Sequence, residues 1–285
     1  MSDADTLRTI RHPGPVAPVR HAKAVGEAVE LDFTIEPGKA METGLGEGVA
    51  AAGCESAYVD IRSARIAPFR YVMPAGSPGP SHAAWYSETY APEGGVKVEA
   101  AGAIVGRRDG APFVHCHGIW RADGGPRAMG HMLPPESFAA EPLRIAGVGL
   151  RGAVFESRHD EETNFRLFAS EATGSNRQSG RPALAVTLRP NQDVSHAIEA
   201  ICAEAGIANA RILGIGSLNG ARFEAGPPME SYASELLIRE GRLEAGRARL
   251  EVAVVAMDGT IYEGVLVPGE NPVCVTFELM IVPQA

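Results

Sequence analysis

The sequence contains no C-x-x-C pair. Its four cysteines, Cys54, Cys116, Cys202 and Cys274, are scattered along the chain, which argues against a zinc ribbon or a disulfide framework and leaves buried free thiols as the expectation. There is no run of about 18 apolar residues such as a membrane-spanning helix needs. The opening stretch, MSDADTLRTIRHPGPVAPVR, holds no apolar segment of signal-peptide type, so a cytoplasmic protein is expected. Positive charge is short as well: the formal net charge is -9 over 285 residues, which disfavours a broad phosphate-binding surface. No G-x-S-x-G, P-loop or H-E-x-x-H pattern occurs, and the G-x-G of LGIGSLNG follows a helix rather than opening one, so it is not a dinucleotide fingerprint. Histidine is scarce, eight residues in all, and its placement is therefore informative.

What the sequence does have is an internal repeat, which bears on fold before any finer reading. IEPGKAMETGLGEGVAAAGCESAYVDI, from Ile35, resembles LRPNQDVSHAIEAICAEAGIANARILG, from Leu188. Pro37 falls on Pro190 and Gly53 on Gly206, an offset of 153. Each piece reads as a strand, an amphipathic helix closed by glycine at C′, and a second strand. The second helix keeps Val194, Ile198, Ile201, Cys202 and Ala205 at helical spacing, whereas the first carries Gly44, Gly46 and Gly48, each costing up to about 1 kcal/mol relative to alanine. Further on, GHMLPPESFAAEPLRI matches GVLVPGENPVCVTFELMI at an offset of 134, with His131 on Val265. The first copy therefore carries about 19 extra residues, assigned to the loop YVMPAGSPGPSHAAWYSETYAPEGG. Short apolar segments such as RLEVAVVAM predict an α+β fold, a mainly antiparallel sheet with few helices. The length suits two domains, and the polar stretch SRHDEETNFRLFASEATGSNRQSGRP sets their boundary near residue 180: residues 1–180, with an N-terminal extension and connector, and residues 181–285.

Three of the histidines gather in FVHCHGIWRADGGPRAMGHML, residues 113 to 133. This reads as a strand, a turn near Gly124 and a returning strand. His115 and His117 share one strand face, with Cys116 on the other. Across the hairpin, His131 falls opposite His117, with Cβ atoms about 5 Å apart. Three imidazoles so placed can surround one ion at Zn–N distances of about 2.0–2.1 Å and leave a fourth position open. Zinc suits such a set best, and nickel, copper and iron also take imidazole ligands.

The H-C-H strand, the glycine turn and G-H-M-L-P, following a helix that ends AAAGCESAYV, resemble the PPC (also PCC) domain of plant AT-hook nuclear proteins and of many prokaryotic proteins. The resemblance covers both halves, as a tandem protein. It implies an antiparallel sheet flanked by helices, trimeric assembly, and a metal held by His115, His117 and His131. In the second copy the aligned positions are Leu250, Val252 and Val265, so no metal is expected there. The AT-hook itself needs a basic R-G-R-P core; here Ser179 precedes Gly180-Arg181-Pro182, and DNA is not expected as a partner on this reading.

The loop RHDEETNF contributes the remaining candidates. Asp160 and Glu162 are carboxylates suited to a general-base role beside a metal, and Asn164 can donate a hydrogen bond to a bound oxygen. The plain alternative is an Asx-capped turn leading into a strand that buries Phe165 and Phe168. His82, beside Trp85 and Tyr86, is a further pocket-lining candidate. Two functions stay open: a three-histidine metal site that binds or transforms a small molecule, and a regulatory or DNA-binding module in which the metal is structural.

Overall fold

The computed structural model describes residues 7–174 and 180–284. The first half runs β1 (His21–Ile35), α1 (Met41–Ala51), β2 (Ser56–Arg62), four short strands, β3 (Arg65–Ile66), β4 (Tyr71–Val72), β5 (Pro74–Gly76) and β6 (Ala84–Tyr86), then β7 (Val96–Arg108), β8 (Ala111–Ala122), β9 (Arg127–Met132) and β10 (Leu143–Arg151). A hairpin of β11 (Ala153–His159) and β12 (Arg166–Ala172) follows. The second half runs β13 (Pro182–Leu188), α2 (Val194–Glu204), β14 (Ala210–Leu218), β15 (Ser234–Glu244), β16 (Arg247–Ala256), β17 (Ile261–Val265) and β18 (Val273–Pro283). The α+β reading is compatible with this mainly antiparallel architecture. Among the described residues no helix is long and apolar enough to cross a membrane.

Both helices form where the sequence places them. In α2, Val194, Ile198, Ile201 and Cys202 are buried on one face, and the Asp193 side chain caps the helix by accepting from the His196 backbone N–H. Gly53 and Gly206, each with φ near +70° (68° and 69°), supply the left-handed residue that ends α1 and α2. The glycines within α1 have a packing reason. A Cβ on Gly48 would lie 2.2 Å from the Phe33 ring, and one on Gly46 would lie 2.6 Å from Pro112, so the helix approaches the sheet more closely than any larger residue permits.

The two halves share one hydrogen-bonded sheet. In space the first half orders its strands β9-β8-β7-β2-β10-β1 and the second β17-β16-β15-β14-β18-β13, and the halves join where β1 pairs antiparallel with β13, from His21 opposite Leu188 to Glu27 opposite Pro182. Each half buries a core between its helix and the sheet. A third core draws Tyr58, Ile104 and Ile119 from the first half together with Leu237, Val255 and Met280 from the second. The sheet therefore curls so that its halves face one another, and Arg127 on β9 reaches Glu263 on β17 at 2.6 Å.

This packing corrects one sequence alignment. Leu250 and Val252 belong to the helix-side core, whereas the β16 residues in the shared core are Ala253 and Val255. A slip of one residue exchanges the faces of a strand. Neither set contains a histidine. The Gly-Arg-Pro stretch leads directly into β13, and Arg181 pairs with Glu30 at 2.5 Å; Ser179 lies outside the described residues.

Candidate metal centre

The β8–β9 hairpin places His117 directly opposite His131, and the His115 ring stands 4.5 Å from His117 and 4.9 Å from His131. Cys116 points into the opposite core, where burial pushes its thiol up to about 12. All four cysteines are free and buried. The imidazoles meet a fourth group from the other half: Glu235 Oε2 lies 2.7 Å from His117 Nε2. Ligand atoms of His115, His117, His131 and Glu235 all fall within 4.8 Å of one another, a group that can hold a metal ion.

Outer contacts fix how the rings present themselves. His117 Nδ1 lies 2.9 Å from the Leu236 carbonyl oxygen, which only accepts, so Nδ1 carries the proton. His115 Nδ1 lies 3.0 Å from Glu278 Oε2, and an ionised Glu278 likewise accepts from it. Both Nε2 atoms then turn lone pairs inward, 2.9 Å apart and beside the Glu235 oxygen. Acceptors crowded in this way require a proton or a cation among them. His131 Nδ1 is buried and has no hydrogen-bond partner among the described residues. This donor set, with a carboxylate and a carbonyl behind the imidazoles, fits a divalent transition metal.

The electrostatics favour neutral rings at two of the three positions. Burial pushes His115 down to about 3, assisted by His117, and holds His131 well below the ordinary histidine range, assisted by His115 and His117. For His117 burial also lowers the pKa, but the charge of Glu235 and its hydrogen bond outweigh it and the net direction is upward. Burial raises Glu278 to about 7 against the pull of His117.

Over the histidines lies a cavity of about 390 Å³. The extra residues of the first half form the β5–β6 hairpin at its wall, with the Tyr86 ring 5.3 Å from His131 and Trp85 stacked on Phe165 at 5.5 Å. His82 packs 4.4 Å from Trp85 but does not line the cavity.

The RHDEETNF candidates are not brought to this cluster. They form the turn between β11 and β12, where Asp160 Oδ1 accepts from the Thr163 backbone N–H at 2.9 Å in an Asx cap and Asp160 Oδ2 pairs with Arg189. Glu162, 3% exposed, takes two bonds from Arg20 at 2.6 and 3.0 Å. Asn164 donates to the Ser81 carbonyl at 3.1 Å. None of the three lines the cavity, while Phe165 and Phe168 after them do. Opposite charges supplied by Arg20 and Arg189 hold these carboxylates as the joint between the N-terminal segment, the hairpin and β13. The carboxylates beside the histidines, Glu235 and Glu278, were not singled out by sequence reading; they carry a sequence signal only at Glu278, a lone acid inside the apolar strand VCVTFELMIVP, whereas Glu235 shares SELLIREGRLE with Glu240 and Glu244.

A scan of protein-family models and a search of curated proteins both find no match to the chain. Among solved structures, it is similar to a plant- and prokaryote-conserved (PPC) protein from Pyrococcus horikoshii, at 17% identity and a TM-score of 0.40 over 54% of this chain and 96% of that one. It is also similar to a metal-containing protein from Archaeoglobus fulgidus, at 18% identity and a TM-score of 0.39 over 53% of this chain and 99% of that one. A hypothetical protein from Salmonella is 29% identical over 36% of this chain and 77% of its own, with a TM-score of 0.32.

Proposed function

We propose that the chain holds one divalent transition metal ion, zinc by preference, on His115, His117 and His131 with Glu235 beside them, and that this site binds or transforms a small molecule in the cavity. The observation that carries the reading is the inward convergence of the two Nε2 atoms and the Glu235 carboxylate. When bound, such an ion supplies Lewis acidity and lowers the pKa of water. The chain's own groups do the rest. Glu278 and the Leu236 carbonyl hold His115 and His117 in the tautomer that turns Nε2 inward. Glu235 is close enough to complete the ligand set or to accept a proton from a bound molecule, the role that sequence reading gave to Asp160 and Glu162. Tyr86 and Trp85 restrict the entry of water.

In the same reading the halves, residues 1–180 and 181–285, are two copies of one PPC-like unit. The repeated strand order supports this. The first copy supplies the imidazoles and the second the carboxylates. Elemental analysis of the purified protein tests the metal: about one ion per chain is expected, and His117→Ala or His131→Ala should remove it. Finding no metal after gentle purification and zinc reconstitution refutes the proposal.

A further inference from the structure

Arg108, at the end of β7, is a charged group of the cavity wall that the metal reading does not use. Its guanidinium lies over Phe113, with Cζ 3.5 Å from the ring centroid, and its Nε donates to Ser157 Oγ at 3.2 Å. Among the described residues no carboxylate pairs with it and neither terminal nitrogen has an acceptor. Arg166, also at the wall, is instead paired with Asp109 at 2.9 Å. Arg108 is partly buried, and burial pulls its pKa down with Arg166 adding to the effect, while Glu42 and Asp109 oppose it from a distance. Two parallel N–H donors on a planar cation match an oxyanion bidentately.

The rest of the cavity narrows the class of anion. Its walls are aromatic: Trp85 stacks on Phe165, and Phe113 meets Phe168 with centroids 5.5 Å apart. Flat rings with few hydrogen-bonding groups select an apolar, planar body. Glu235 and Glu278 also line the cavity and repel a second negative charge, so a monoanion fits better than a phosphate dianion. The cavity, about 390 Å³, lies at the small end of the range for ligand pockets, roughly 300–1,000 Å³.

We propose that the cavity takes a small monocarboxylate with a flat apolar body, its carboxylate on Arg108, its body between the aromatic rings and its other end toward the histidines. This rests on the proposed function only for what happens at that other end; the Arg108 contact stands without a metal.

Isothermal titration of the full chain with 3-phenylpropanoate tests it, in zinc-loaded and chelator-treated samples, beside the neutral 3-phenylpropanamide and inorganic phosphate. The acid is expected to bind about tenfold or more tightly than the amide, the scale of one charge-assisted bidentate contact, and phosphate is expected not to displace it. Arg108→Gln should bring the acid down to the level of the amide with metal content unchanged, and Arg108→Lys should recover part of the preference. Equal affinity for acid and amide in the unmutated protein overturns the proposal, as do undetectable binding of the acid, displacement by phosphate at comparable concentration, or an indifferent Arg108→Gln. Acid binding through Arg108 in a protein that takes up no metal would refute the metal reading and leave this one standing, and metal uptake without acid preference would do the reverse.

Discussion

Replacing Glu278 by glutamine separates the charge behind His115 from the geometry that charge maintains. The carboxylate is 1% exposed and its Oε2 lies 3.0 Å from His115 Nδ1. Glutamine can keep a carbonyl oxygen at that place, so the ring stays oriented and only the negative charge is lost. Changes to such outer partners cost about 10–100-fold in metal affinity. The conservative substitution belongs at the low end, about tenfold or ~1.4 kcal/mol, and Glu278→Ala, which also removes the acceptor, belongs near the high end. Stability of the metal-free protein moves differently. Burial raises the Glu278 pKa to about 7, above the unfolded value of about 4.3, so its ionisation opposes folding: the penalty is absent below about pH 4 and complete above about pH 7. Metal-free Glu278→Gln at pH 8 should therefore unfold at a temperature no lower than the metal-free parent. Competition with a chromophoric chelator gives the affinities, and thermal unfolding with and without zinc gives the stabilities. An affinity unchanged within about twofold, against the expected tenfold, would refute the reasoning. So would a variant that melts lower in both states, because Glu278 would then be a support of the fold rather than of the metal.

Three further outcomes are expected. Asp160→Asn should lower stability at neutral pH by ~1–2 kcal/mol with metal content unchanged. Burial alone would raise the Asp160 pKa, but the Thr163 bonds and Arg189 hold it below the ordinary range; its contribution is present above the unfolded value of about 3.9 and lost as pH falls through the lower folded value, so the gap between variant and parent in urea should close below about pH 4. Loss of metal at full stability would return Asp160 to the site. Gly48→Ala should destabilise by ~1–3 kcal/mol through overpacking against Phe33, despite gaining up to about 1 kcal/mol in helix propensity, and a stabilised variant in urea denaturation would contradict the packing argument. Light scattering should give the mass of three chains, as the PPC resemblance implies, and a clean monomer mass at micromolar concentration would remove the trimer.

The histidine hairpin was legible because it is local. Period-two alternation put His115 and His117 on one face, and the turn at Gly124 set the register that brings His131 opposite His117. The helix ends were legible for a similar reason, since a left-handed residue at C′ calls for glycine. Register across the repeat was not. The offset of 134 that sets His131 on Val265 also sets His115 on Arg249 and His117 on Glu251, and Glu251 pairs with Val265 as His117 pairs with His131; setting Leu250 and Val252 against the histidines was a slip of one residue, onto the face that packs on the helix side. The glycine- and proline-rich loop was recognisable as a loop, but its folding into a hairpin that carries Trp85 and Tyr86 to the cavity depends on contacts with Phe165 far along the chain.

Glu235 and Glu278 escaped for a deeper reason. Glu278 sits in an otherwise apolar strand, VCVTFELMIVP, and Glu235 in the buried first part of SELLIREGRLE, whose other charged residues come later and are exposed; a buried carboxylate carries a large desolvation cost unless something pairs with it. That anomaly is readable, but its resolution is not, because the partner of Glu278 is 163 residues away and arrives only when the sheet curls and the halves face each other. The repeat even directs attention elsewhere: a second copy without histidines reads as a copy that has lost its site. In the folded chain the second half faces the first across the shared core, and its strands, which lack imidazoles, place Glu235, Glu278 and the Leu236 carbonyl beside the histidines. The absence of histidine from the second half and the two buried acids within it are thus one fact about a site assembled from unlike halves, and a variant that separates the halves at the β1–β13 seam should lose metal even with all three histidines intact.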